Sequence, residues 1–181
     1  MWTRSAAALA ALTATATLAA QSPTFNVGRA PTREEILALG AAIAPDGSGL
    51  PEGSGSVSAG REVFAAHCSR CHGPNAEGDV GPRLVGGQGT LATPRPLKTV
   101  GSFWPYATTL FDYIRRAMPY PTPGSLNNDE IYAVVAYILS LNGILPADGK
   151  VDRENLPNIK MPNRDGFIPD PEFDPQRIGK K

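Results

Sequence analysis

The chain has 181 residues, 41% of them hydrophobic, with 17 basic side chains against 17 acidic ones. That length accommodates one domain with extensions, and the balanced charge lacks the basic excess of a nucleic-acid binder. Only Cys68 and Cys71 carry thiols.

Residues 1–20 have the make-up of an export signal. Arg4 provides a short positive start, Ser5 to Leu18 is rich in Ala, Leu and Thr, and Leu18-Ala19-Ala20 precedes the polar Gln21. The run is short and Thr-rich for a bilayer span, so a cleaved signal peptide with no stable membrane anchor is expected; a retained anchor is the alternative. No cysteine follows it, so a bacterial lipid anchor is not expected. Cleavage would remove Arg4 and no acid, leaving 16 basic against 17 acidic residues.

Residues 21–56 read as a Pro- and Gly-rich extension with one short helix. Thr32 can cap that helix, which runs through about Ala42, with Glu35 three residues on as its capping-box partner, and Ile36, Leu37, Leu39 and Ile43 give it an apolar stripe. Pro45-Asp46-Gly47-Ser48-Gly49 and Gly53-Ser54-Gly55-Ser56 are turn and linker chemistry.

A compact all-α domain is expected over residues 57–145. Ser58 is the candidate cap of a first helix through Ala66, with Gly60 and Phe64 on one face. A second helix fits Tyr106 to Ala117, where Ala107, Leu110, Phe111 and Ile114 recur at helical spacing before Pro119, Pro121 and Pro123 stop it. A third starts near Asn128, which with Asp129 and Glu130 offers capping and favourable N-terminal charge, carries Ile131, Val134, Val135, Ile138 and Leu141 on one face, and ends at Gly143. No convincing strand pattern is present. Residues 146–181 form a proline-punctuated tail, expected to lie extended along a surface, with Gly179-Lys180-Lys181 at its end.

The chemistry lies in Cys68-Ser69-Arg70-Cys71-His72. Two cysteines three apart, followed directly by histidine, read as a c-type haem attachment site. Within one helical turn both sulfurs can add across haem vinyl groups, and the adjacent imidazole can reach the iron. A disulfide, half a zinc site and a redox dithiol are the alternatives. The dithiol lacks a thioredoxin-like βαβ context, and zinc would need more ligands. One covalently attached haem c is therefore expected, and export agrees with it, since bacteria attach this haem outside the cytoplasmic membrane.

For the second axial position, Met118 ends the second helix on the face of Leu110, Phe111 and Ile114, and Pro119 turns the chain away after it. His72 and Met118 are the expected metal ligands. Met161, in the tail, is the runner-up, and His67 reads as a solvated or haem-edge residue. Pro82 is expected to accept the Nδ1 proton of His72, and Leu84 to pack on the ring. Trp104, Tyr106 and Arg95 are candidates for the propionates or plain core and surface residues; Arg115-Arg116 reads as a docking surface or a solvated helix face. A filled axial pair leaves outer-sphere electron transfer as the chemistry, with no catalytic residue in this chain.

With Gly81-Pro82-Arg83-Leu84, Met118-Pro119 and the pairing of Gly60 and Phe64 with Ala133 and Tyr137 added to the haem motif, the chain resembles a class I cytochrome c. A closer likeness extends into both arms. Pro45 to Pro51, Gly86 to Leu91, Trp104 to Tyr113 and Met161 to Phe167 are similar to the cytochrome subunits of periplasmic molybdenum-dependent sulfite or sulfane dehydrogenases. That likeness implies a molybdenum-containing dehydrogenase subunit as electron donor, a soluble cytochrome c as acceptor, and extensions that wrap a partner. A free-standing carrier is the alternative, and a haem enzyme or gas sensor with a labile ligand the third reading.

Overall fold

The computed structural model describes residues 28–35, 40 and 42–168. The expected signal peptide, the stripe residues Ile36, Leu37 and Leu39, and the tail after residue 168 lie outside these. The chain divides into two units, Met1–Ala38 and Leu39–Lys181. In the first, Thr32 Oγ1 accepts the Glu35 N–H at 3.2 Å and Glu35 accepts the Thr32 N–H at 2.8 Å, which together make a capping box. Arg29 pairs with the same carboxylate at 2.5 Å.

The second unit is helical with one small sheet. In chain order it contains β1 (Ser54–Ser56), α1 (Val57–His67), α2 (Ser69–His72), α3 (Ala107–Ala117), α4 (Asn128–Leu141), β2 (Lys150–Asp152) and a single 3₁₀ turn (Leu156–Asn158). Helix α4 is the centre of it. Every residue from Ile131 to Leu139 is buried, so this helix is packed on all sides rather than along one stripe.

Helix α1 crosses α4 at its glycine. A methyl group on Gly60 would fall 1.8 Å from the Ala133 carbonyl oxygen, so only glycine permits this approach. One turn on, Phe64 meets Tyr137 with ring centroids 5.4 Å apart. The crossing sets the direction in which α1 delivers Cys68.

The caps differ from the sequence expectation by one or two positions. Ser56, not Ser58, caps α1 by accepting the Ala59 N–H at 3.2 Å. Asn127, not Asn128, caps α4, with Glu130 returning the bond to the Asn127 N–H at 2.8 Å. Several neighbouring residues are chemically able to cap, and the backbone path selects among them. At the other end of α4, Gly143 has φ +69° and Ile144 N–H reaches back to the Leu139 carbonyl at 3.0 Å, a Schellman stop.

The small sheet was not expected. β1 and β2 pair antiparallel with Gly55 opposite Val151. Three residues are too few to show a period-2 pattern, and the pair is held by packing: a methyl group on Gly55 would lie 2.0 Å from the Ala133 amide. Nor does the tail simply follow a surface, because Val151, Leu156 and Met161 are fully buried. Ile43 and Leu50 join the same core from the N-terminal side, and Tyr132 donates to the Pro51 carbonyl at 2.8 Å.

Candidate functional site

Helix α1 ends at Cys68, whose N–H still bonds the Phe64 carbonyl at 2.9 Å, and α2 follows at once. Cys71 and His72 both return their N–H groups to the Cys68 carbonyl, at 3.1 and 3.0 Å. The two sulfurs and the imidazole therefore ride on one tight turn. Gly73, at φ +80°, breaks it.

The loop then folds back over the motif. Gly78 N–H bonds the His72 carbonyl and Gly81 N–H the Cys71 carbonyl, both at 2.7 Å, while Leu84 N–H bonds the Ala76 carbonyl at 2.9 Å. This return brings the Pro82 carbonyl to 2.7 Å from His72 Nδ1. A carbonyl can only accept, so Nδ1 carries the proton and Nε2 presents its lone pair. That is the tautomer a metal-ligating imidazole needs.

Beside the motif lies a cavity of about 500 Å³. Cys68, Cys71, His72, Pro82 and Leu84 border it, and Trp104, Leu110, Ile114, Met118, Val134 and Ile138 are among its other wall residues. The size is that of a cofactor site, and the walls are mostly apolar. Burial, with a smaller contribution from Cys71, pushes the Cys68 thiol up to about 11. A buried, apolar setting of this kind is compatible with an uncharged thioether sulfur. Among the described residues no group of three or more His, Cys, Asp or Glu could hold a metal ion. A haem joined to the two sulfurs fits both the chemistry and the space.

The sequence candidates separate here. Met118, half-buried, borders the cavity at the C-terminal end of α3, where its N–H closes on the Ile114 carbonyl at 3.0 Å. Met161 is fully buried in the core and does not border the cavity. His67 is exposed at its edge. Trp104 is a wall residue, packed edge-on against Tyr113 at 5.6 Å. Tyr106 and Arg95 are not part of the walls; Tyr106 instead carries the Arg164 guanidinium over its ring at 4.3 Å. Arg115 and Arg116 also lie off the cavity, Arg116 pairing with Asp112 one turn back at 2.8 Å.

Sequence reasoning missed the cavity mouth. Val80 and Tyr120, each 81% exposed, border it together with Tyr113 and Lys98. These residues come from three separate segments with no shared spacing. Only the position of Tyr120 two residues after Met118 offered a signal.

A family model described as Cytochrome c matches residues 57–142. The chain belongs to the cytochrome c family: an all-α electron-transfer protein whose haem c is held covalently. Beyond the domain it is similar to one chain in the crystal structure of the sulfane dehydrogenase SoxCD from Paracoccus pantotrophus. The two are 42% identical, superpose with a TM-score of 0.74, and the likeness covers 87% of this chain and 79% of that one. No curated protein sequence matches this chain.

Proposed function

We propose that this chain is a periplasmic monohaem cytochrome that transfers electrons as the cytochrome subunit of a molybdenum-dependent dehydrogenase oxidising sulfane sulfur. One observation carries the reading: the likeness to the SoxCD chain spans 87% of the protein, whereas the family model spans only residues 57–142. The similarity thus includes segments that a free carrier does not need. The export-signal composition of residues 1–20 supports a periplasmic address. Among the described residues no helix is long and apolar enough to cross a membrane.

The chain's own residues take distinct parts. Cys68 and Cys71 would hold the haem through their sulfurs, and His72 and Met118 would supply the ligands to its iron. When bound, the haem supplies a one-electron iron couple, and thioether ligation favours its reduced form. Pro82 keeps the proton on His72 Nδ1 and so keeps Nε2 free to ligate. Leu110, Ile114, Val134 and Ile138 exclude water from the walls, which limits solvent rearrangement when charge changes. The apolar mouth at Val80 and Tyr120 is the face through which electrons enter or leave, toward a soluble cytochrome c as acceptor.

Purification from the native periplasm tests the assignment. A stable complex containing molybdenum in stoichiometric amount is the expected result, with haem reduction on addition of a sulfane-sulfur substrate. A haem protein that elutes alone under all mild conditions would make the free-standing carrier the correct reading. Reduction by sulfite but not by sulfane sulfur would move the substrate class.

A further inference from the structure

The described residues bury four polar side chains, Thr99, Ser102, Thr108 and Asn142, none of which the ligand scheme above uses. Asn142 closes α4 and is only 9% exposed. Its Oδ1 accepts the Gly86 N–H at 3.1 Å, and its Nδ2 donates to the Leu84 carbonyl at 3.2 Å and the Ile138 carbonyl at 2.9 Å. The orientation of the amide is forced, because the two carbonyls only accept and the N–H only donates. The fit is tight: a methyl group on Gly101 would come within 2.0 Å of Oδ1.

We propose that Asn142 is a positioning residue for His72, acting through the loop that carries Pro82. The inference rests on the haem reading given above. Leu84 is held at both backbone groups, its N–H on the Ala76 carbonyl at 2.9 Å and its carbonyl on Asn142. Pro82 is two residues upstream, and its carbonyl holds His72 Nδ1 at 2.7 Å. The clamp thus fixes the acceptor of the axial histidine against the C-terminal end of α4, far along the chain from the haem motif. A buried amide with both ends engaged resists displacement, because moving the loop leaves polar groups unpaired. A firmly held acceptor makes the imidazole more electron-rich and stabilises the oxidised iron.

The test is Asn142→Leu in the full haem-loaded protein, read by midpoint potential and by hydrogen exchange at His72 Nδ1. The expected result is a higher potential and roughly tenfold faster exchange of that proton, with methionine ligation retained in the optical spectrum. Unchanged potential and unchanged His72 exchange, with only the Gly86 amide opened, would overturn the proposal. If Asn142→Leu does not fold, the unaltered protein still decides. Under mild denaturant, His72 Nδ1–H and Gly86 N–H should open in one event, and independent opening would refute the coupling. A parent protein without haem would refute the functional reading instead, and this exchange comparison would still judge the clamp.

Discussion

His72 Nδ1 donates to the Pro82 carbonyl at 2.7 Å across ten residues of chain, and that bond determines which imidazole nitrogen is available to a metal. The loop between them makes its own backbone bonds to the haem motif, so the acceptor is held in place by the protein's own contacts. Such preorganisation favours a fixed coordination geometry in both oxidation states, which is what outer-sphere electron transfer requires.

Replacing Met118 with Ala should open one axial position and leave the fold in place, since the side chain borders the cavity and is only half-buried. The reduced variant is expected to bind carbon monoxide rapidly where the parent does not. Met161→Ala should do the opposite, retaining the parent spectrum while losing about 2–5 kcal/mol of stability from the core cavity it leaves. Rapid carbon monoxide binding by the Met161 variant alone would reverse the ligand assignment.

Gly60→Ala should be far more damaging than an ordinary glycine-to-alanine change in a helix, which normally gains stability. The added methyl meets the Ala133 carbonyl, a backbone group that cannot swing aside. A loss of about 3 kcal/mol or more is expected in denaturant unfolding, at the upper end of overpacking costs. A neutral or stabilising effect would mean that α1 and α4 do not cross at this point.

The caps make a paired comparison. Ser56→Ala and Asn127→Ala should each cost about 1 kcal/mol, because each removes the acceptor of a first-turn N–H. Ser58→Ala, at the position the sequence favoured, should change stability by less than about 0.5 kcal/mol. Thermal unfolding of the three variants distinguishes them.

Tyr132 supplies a test in alkali. Desolvation by burial pushes its hydroxyl up to about 12 from an ordinary 10. Between these values the folded protein keeps the proton that the unfolded chain has lost. Stability is therefore fully present below pH 10 and falls as pH rises through the folded value. Tyr132→Phe should remove this part of the alkaline decline, and cost about 1 kcal/mol near neutrality through loss of the bond to the Pro51 carbonyl. An identical alkaline profile in the variant would assign the decline to other groups.

Much of the architecture was legible along the chain because it is local. The span of α3 was visible in the spacing of Ala107, Leu110, Phe111 and Ile114, and that of α4 in its run of branched apolar residues. The site was only partly so. Trp104 and Tyr106 stood as equal candidates by residue type, yet one forms a cavity wall and the other stacks under Arg164. Neighbours in sequence that face different directions cannot be separated without the turn between them. Asn142, beside the glycine stop, carried no signal along the chain for the bonds it makes to Leu84 and Gly86.

What the sequence determined alone was covalent and periodic: two sulfurs and an imidazole at haem-binding spacing, and helices whose apolar positions recur with the helical turn. Tertiary structure decided which residues meet across long separations. It brought Gly60 onto Ala133, Pro82 onto His72, Asn142 onto the loop at Leu84 and Gly86, and the arms at Leu50 and Val151 into one core. The reason is physical. A helix or a motif depends on neighbours within a few residues, whereas a close backbone approach or a buried amide depends on how several elements fill one volume together.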